Sequence, residues 1–149
     1  MKRNKISKII YQILQPPKTN IMNITTEIRD RFSKLENYFI FRGKDLKYIF
    51  MLCLALGYRK GIKKEAKNAQ GMINTTSFSD EDLFTIAAIA VDDTKNIETL
   101  RDGPLMRKIA LEYVNAGLNE LENLASEYGT GENLELAIEE MTRKSVEKN

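Results

Sequence analysis

The sequence predicts an all-α protein: a compact bundle of five or six helices with a basic helical arm at its N-terminus. Apolar residues recur three and four positions apart, the spacing of one helix face, along nearly the whole chain of 149 residues. The alternation typical of a strand occurs only over residues 38–41, which is too short a run to define one. A composition of 42% hydrophobic and 30% charged residues is that of a globular protein with a real core.

Residues 1–20 are predicted to form a basic amphipathic arm, followed by a single helical domain over residues 21–149. The apolar stripe of the arm consists of Ile6, Ile9, Ile10, Ile13 and Leu14. Pro16 and Pro17 end this helix because proline cannot supply the next amide donors. Since the two prolines isolate the arm, one interpretation is that it docks on a partner protomer.

The next two helices are expected over residues 24–37 and 44–56. The second of these is apolar on nearly every side, so it should be the central and most buried helix. Gly57 is expected to end it, because glycine takes the left-handed conformation of a helix terminus without strain. A polar loop is expected from there to about Ser79.

The remaining helices begin at recognisable start signals. Ser79 precedes three acidic residues, so it can cap the free amides while the carboxylates suit the positive end of the helix dipole. The helix that follows, to Val91, is again apolar all round, and its alanines should let it pack closely beside the central helix. A short turn over residues 97–100 leads to a helix over residues 104–126 that starts at Pro104. A last helix is expected from about Glu132.

Charge is divided between the two halves of the chain. Residues 1–67 carry a net charge of +11 and residues 68–149 a net charge of −9, although the total is only +2. A clustered basic face attracts polyanions because their condensed counterions are released. The residues predicted to contact a DNA backbone lie around the two ends of the central helix: Arg42, Lys44, Lys47, Arg59, Lys60, Lys63, Lys64 and Lys67.

This basic set is expected to bind DNA independently of base sequence, since no base-reading helix is evident. The two ends of a 13-residue helix are about 20 Å apart, so a continuous stripe requires cations from a neighbouring helix. Arg29, Arg31 and Lys34 are candidates for that role. The simpler interpretation of any single lysine is a solvated surface. The acidic helices could instead receive the basic face of another subunit, which would build head-to-tail oligomers.

Composition excludes several catalytic chemistries. The chain has no histidine and one cysteine, so it cannot form a histidine-based triad, a histidine metal site or a thiolate zinc site by itself. Cys53 lies in an apolar run, where a buried thiol is inert. The carboxylates of residues 80–82 and of Asp92 and Asp93 are interpreted as helix-end residues. A divalent-metal nuclease site built from them is the remaining alternative. The sequence therefore predicts no enzyme, no metal and no cofactor.

A cytoplasmic location is expected. A single cysteine fits a reducing compartment, and the apolar run near the N-terminus is interrupted by Lys8 and Gln12 and lacks a small-residue cleavage site. The longest apolar stretch, residues 46–58, contains Lys47 and is too short to span a bilayer. No membrane association is expected.

Three segments carry a family resemblance. Residues 41–61 form an apolar helix that leads into the turn Ala55-Leu56-Gly57-Tyr58 and a basic continuation. Downstream are residues 82–90 and the run Glu112-Tyr113-Val114-Asn115-Ala116-Gly117-Leu118. Together, over about residues 24–126, they resemble small accessory proteins of DNA phosphorothioation (Dnd) defence systems. The resemblance implies an accessory of a modification-dependent restriction system that acts on or beside DNA, and no catalytic residue carries over.

Two functions follow. The first is a non-enzymatic, DNA-associated accessory protein of a DNA phosphorothioation-linked defence system, which contacts the phosphate backbone through its basic face. The alternative is a protein–protein adaptor or oligomerisation module that uses its oppositely charged halves without nucleic acid. Other defence-system proteins are the expected protein partners, and a homo-oligomer is a further possibility.

Overall fold

The computed structural model describes residue 5 and residues 21–65, 69–74 and 78–147. Over these residues the predicted helical bundle is confirmed. The helices are α1 (Thr26–Leu35), α2 (Leu46–Lys60), α3 (Asp80–Thr94), α4 (Gly103–Tyr128) and α5 (Glu132–Glu147). Short 3-10 helices cover Phe39–Phe41 and Ile97–Arg101. Apart from Lys5, the arm predicted over residues 1–20 lies outside the described residues.

A two-stranded antiparallel ribbon adds to the bundle. Strand β1 (Ile21–Thr25) pairs with β2 (Ala69–Asn74), with Ile21 opposite Asn74 and Ile24 opposite Gly71. The sequence predicts a helix start at residue 24 and a loop where β2 lies, so both expectations are wrong at these positions. Each strand pairs with a partner distant in the chain, and a pattern confined to either segment does not show such a pairing.

The core lies around α2 and α4, which make the most extensive contact between elements. The largest fully buried side chains are Phe32, Phe50, Phe78, Leu35, Ile49, Leu54, Leu83 and Ile86. The rings of Phe50 and Phe78 meet edge to face, with centroids 5.6 Å apart. Phe78, two residues before α3, is thereby anchored on α2. The prediction that α2 is the central and most buried helix is wrong: α4 buries more residues and contacts α2, α3 and α5, so α4 is the central helix.

Glycine allows the backbones of α2 and α4 to touch. A Cβ atom on Gly57 would overlap the carbonyl of Tyr113, and one on Gly117 would overlap the carbonyl of Cys53. The predicted helix end at Gly57 is therefore wrong. The helix continues to Lys60, and Gly61, with φ of 69°, is the left-handed residue that ends it. Gly57 serves close packing instead.

Helix α3 lies alongside α2, as the sequence predicts. The two helices are joined by hydrogen bonds between side chains. Lys47 of α2 reaches Asp82 near the start of α3, and Tyr58 reaches Asp92 near its end. The close approach expected from the α3 alanines is instead made by the glycines between α2 and α4.

The predicted start of α3 is confirmed in detail. The Ser79 hydroxyl accepts a hydrogen bond from the amide of Asp82, and the Asp82 carboxylate accepts one from the amide of Ser79. This reciprocal pair is a capping box. Helix α4 begins in a similar way, with Asp102 accepting from the amide of Leu105 and Pro104 in its first turn.

Candidate interaction surfaces

The structure separates the predicted DNA-binding residues into two groups. One group lies before or within the first turn of α2: Arg42, Lys44 and Lys47. The other lies at its end and in the segment that follows: Arg59, Lys60, Lys63 and Lys64. Lys67 lies outside the described residues. Helix α2 separates the two groups, so a shared phosphate-binding stripe would need further cations along its flank.

Three of the predicted cations bind carboxylates of the acidic half. The pairs, with the distance from the ammonium nitrogen to the nearest carboxylate oxygen, are Lys47–Asp82 (3.3 Å), Lys60–Glu120 (2.9 Å) and Lys63–Asp93 (3.0 Å). The carboxylate side chain of each pair is at most 21% exposed. These lysines are therefore ion-paired within the same chain, and the side chains of Lys60 and Lys63 remain 52% and 40% exposed.

Arg31 does not bridge the two basic groups as expected. Its Nε donates to Glu122 Oε1 at 2.7 Å, and its guanidinium also donates to Asn119 Oδ1 at 2.6 Å. Both partners belong to α4. The charge of Arg31 is thereby directed into the bundle, which joins α1 to α4.

Arg59 lies at the rim of a groove of about 660 Å3 between the end of α4 and α5. The groove is also lined by Glu127, Tyr128, Leu136 and Lys144. Its two basic side chains, Arg59 and Lys144, are matched by two carboxylates, Glu127 and Glu140.

Asp93 connects three parts of the fold, a role that the sequence pattern does not predict. Its carboxylate accepts hydrogen bonds from the Tyr113 hydroxyl at 2.7 Å and from Lys63 Nζ at 3.0 Å. Burial alone would raise the pKa of Asp93, but these two hydrogen bonds outweigh it and hold the pKa below its ordinary value. Burial and the Asp93 carboxylate raise the pKa of Tyr113. Asp93 thus joins α3, α4 and the segment after α2.

Asp92, its neighbour, binds a second tyrosine. Its carboxylate accepts from the Tyr58 hydroxyl and from Lys95 Nζ, both at 2.5 Å. Hydrogen bonds from Lys95 and Tyr58 lower the pKa of Asp92. The rings of Tyr58 and Tyr113 meet edge to face with centroids 5.6 Å apart. In the part of the chain that the structure describes, no group of three or more Cys, Asp or Glu side chains is placed to hold a metal ion.

Asn115 is an important residue that the sequence pattern leaves unassigned. It is buried, and its amide nitrogen lies 3.1 Å from the carbonyl oxygen of Glu65 and 3.4 Å from that of Lys64. The amide of Lys64 in turn donates to the carbonyl of Glu112. The segment after α2 is thus fastened along α4. A buried asparagine in an otherwise apolar run is the signal that could have indicated this role.

Two other predicted cations, Arg42 and Lys44, lie beside exposed aromatic rings. Arg42 Cζ lies 5.8 Å from the ring centre of Phe39, and Lys44 Nζ lies 4.9 Å from that of Tyr48. We call these four residues, Phe39, Arg42, Lys44 and Tyr48, the aromatic–basic surface. A groove of about 250 Å3 adjoins it, lined by Ile40, Phe41, Lys44, Tyr48, Leu52, Glu135, Ile138 and Glu139.

A second apolar surface lies beside α3. It is an open groove of about 730 Å3 that we call the α3 groove, lined by Phe84, Ala87, Ala88, Val91, Asp92, Lys95, Ile97 and Leu100. Ile97 is 65% exposed although it is apolar. The sequence predicts these residues as helix interior and turn, and gives no sign that one side of α3 is open.

No protein-family model, no curated protein and no solved structure matches this chain. No helix within the described ranges is long and apolar enough to cross a membrane. In the structure, the turn at Gly57 and Tyr58 packs on Tyr113 and Gly117 of α4.

Proposed function

We propose that the protein is a non-enzymatic adaptor of a DNA phosphorothioation-linked defence system, and that it binds another protein of that system through the aromatic–basic surface. The observation that carries this proposal is what each of the basic residues contacts in the structure. Lys47, Lys60 and Lys63 are ion-paired within the chain. Arg42 and Lys44 accompany exposed aromatic rings, and ion-paired Lys47 also lies 5.2 Å from the ring centre of Tyr48.

The composition of the aromatic–basic surface is that of a protein interface. Tyrosine, phenylalanine and arginine are enriched where proteins bind each other, and tyrosine and arginine are frequent among residues that dominate the binding energy. Tyr48 is 46% exposed and Phe39 is 37% exposed. The adjoining groove offers Ile40, Leu52 and Ile138 as an apolar floor.

The charges around the groove also favour a protein over a polyanion. Lys44 lines it together with Glu135 and Glu139. Two carboxylates repel a phosphate backbone, whereas a protein surface can place an acidic residue opposite Lys44 and basic residues opposite the glutamates. Such complementarity gives specificity and a faster association rate.

The test measures binding of the purified full-length protein to each purified protein of such a system by titration calorimetry. Tyr48→Ala is expected to weaken the cognate interaction about 30-fold, because truncation of a central aromatic residue costs about 2 kcal/mol. Leu136→Ala, at a similarly exposed apolar residue of α5, is the matched control and should leave the affinity unchanged. Equal effects of the two variants, or binding to none of these proteins, would overturn the proposal.

DNA contact is the second candidate, because Arg42 and Lys44 sit beside rings that can stack on bases. Lys64 is also exposed. If these three residues alone bind a random duplex, the log–log salt slope should be about −3, since each phosphate neutralised contributes about −0.9. Anisotropy titrations of labelled duplex and single strand check this. DNA binding that Lys44→Glu abolishes would favour this candidate, and no binding at low salt would exclude it.

A further inference from the structure

The α3 groove is an apolar surface that is open in a single chain. We propose that it is the contact surface of a two-fold symmetric dimer, in which the α3 helices of two copies of this chain lie antiparallel and meet at Ala88. The surface is distinct from the aromatic–basic surface, so the inference does not depend on the proposed function.

The apolar groups of the groove favour a partner helix that buries them. Ile97 is 65% exposed, and Phe84 and Val91 are only half-buried. A contiguous exposed apolar patch commonly marks a surface that binds another protein. Ala88 is exposed between these larger side chains. Because alanine places a single methyl group between two backbones, a second helix can approach α3 closely at this point.

The charges along α3 match a second copy of the same helix. Glu81 lies seven residues before Ala88 and Lys95 lies seven residues after it, and all three are exposed. Seven residues make two helical turns, so the three lie along one side of α3, with each charge about 10 Å from Ala88. An antiparallel copy that meets α3 at Ala88 therefore places Glu81 of each chain beside Lys95 of the other.

A two-fold axis at Ala88 makes this contact form twice. In a symmetric interface, a contact between two positions recurs with the chains exchanged, so one dimer contains two pairs of Glu81 with Lys95. The same axis brings Phe84 of one copy near Val91 of the other, since these residues lie four before and three after Ala88. A parallel arrangement would instead place like charges together at both ends. The order of residues along α3 therefore favours the antiparallel dimer.

Lys95 can serve this contact although it also binds Asp92 of its own chain. Its ammonium group lies 2.5 Å from the Asp92 carboxylate, and its side chain is 76% exposed. An ammonium group has three N–H donors, so donors remain for Glu81 of a second copy. Both Asp92 and Lys95 line the groove. Their ion pair restricts the lysine side chain beforehand, which reduces the entropy lost when the two copies bind.

The size of the contact indicates a reversible dimer. One helix face with the adjoining turn at Ile97 lies at or below the low end of stable interfaces, which bury about 1,200 Å2 in total. We therefore expect dimers at micromolar concentrations and monomers on dilution. The symmetric contact stops at two copies, because each α3 groove is then occupied. It thus differs from the head-to-tail oligomers that the charge division of the sequence allows.

The test is sedimentation equilibrium of the purified full-length protein from micromolar to near-millimolar concentration. The average mass of the wild type is expected to rise from that of one chain towards that of two. Ala88→Glu places two carboxylates against each other at the axis and should weaken the dimer at least about 30-fold. Ala55→Glu, the same substitution at an exposed alanine of α2, is the matched control and should leave the dissociation constant unchanged.

Charge exchange along α3 tests the antiparallel arrangement. Glu81→Lys and Lys95→Glu each bring like charges together twice in one dimer, and each should weaken it about tenfold. The double variant Glu81→Lys/Lys95→Glu restores opposite charges across the axis and should regain most of the affinity. A wild-type protein that stays monomeric throughout would overturn the proposal, as would a dimer that Ala88→Glu leaves intact. A double variant as weak as the single ones would overturn the antiparallel arrangement.

Discussion

At the scale of single residues, Gly57 and Gly117 set the distance between the two helices of the core. Each lies where a Cβ atom would overlap backbone of the opposite helix, and backbone cannot rotate away as a side chain can. Glycine inside a helix normally costs about 1 kcal/mol relative to alanine. Its presence at both positions of this crossing therefore indicates that the close contact outweighs that cost.

Gly117→Ala is expected to lower the free energy of unfolding by about 3 kcal/mol, because the added methyl group forces the helices apart. Urea denaturation measures the change. Gly131→Ala is the control, since nothing lies within 4 Å of its Cβ position, and it should cost less than about 1 kcal/mol. If Gly117→Ala instead raised the free energy of unfolding, the higher helix propensity of alanine would outweigh any clash. That result would contradict the close contact at Gly117.

Asp93 should make stability depend on pH in the acid range. Its folded-state pKa is held below the ordinary value of about 3.9, so its contribution is complete above that value and is lost as the pH falls through the folded-state pKa. Asp93→Asn is expected to lower the free energy of unfolding by about 2 kcal/mol at pH 7. Urea denaturation from pH 7 to pH 3 should show this difference shrinking below about pH 4.

Asp92→Asn is the matched control for that series, because Asp92 is exposed and its partners Lys95 and Tyr58 lie at the surface. At pH 7, Asp92→Asn should lower the free energy of unfolding by less than Asp93→Asn does. A difference between Asp93→Asn and the wild type that stays constant down to pH 3 would argue against the ionic role of Asp93.

At the scale of elements, the capping box at Ser79 fixes where α3 begins. Ser79→Ala removes the acceptor for the amide of Asp82 and is expected to lower the free energy of unfolding by about 1 kcal/mol. Thr85→Ala, at an exposed hydroxyl of the same helix, should change it by less than about 0.5 kcal/mol. Thermal denaturation distinguishes the two, and equal losses would contradict a specific capping role.

Local signals predict the helices well and their contacts poorly. The start of α3 at Ser79 and the start of α4 near Pro104 depend on neighbouring residues, so they can be read from the chain. The ribbon depends on pairing between distant segments, so it cannot. Gly57 illustrates the limit: glycine suits both a helix end and a close helix crossing, and only the partner residue Gly117 decides between them.

At the scale of the whole molecule, the two oppositely charged halves bind each other. The carboxylates that pair with Lys47, Lys60 and Lys63 all come from the second half of the chain. The sequence reveals the charge division but not the pairing, which arises only when α3 and α4 fold against α2. For this reason the basic set is visible in the sequence, while the pairing of three of its lysines with α3 and α4 is not.

Charge reversal tests this pairing. Lys60→Glu places like charges together at Glu120 and is expected to lower the free energy of unfolding by up to about 1 kcal/mol at low salt, the usual range for a partly exposed pair. Adding Glu120→Lys should restore most of the loss, and 1 M NaCl should reduce both changes by screening. Urea denaturation of the four proteins forms a double-mutant cycle, and a coupling energy of zero would contradict the pairing.

The Gly57–Gly117 crossing also bears on the order in which the chain folds. The contact closes a loop of about 60 residues that contains both β2 and α3. The chain must therefore lose the conformational entropy of this loop before the packing of the two helices can stabilise it. Although the protein is a helical bundle, its principal contact is therefore not a local helical hairpin. The refolding rate of Gly117→Ala reports whether the crossing belongs to the rate-limiting step: slower refolding places it there, and faster unfolding alone places it afterwards.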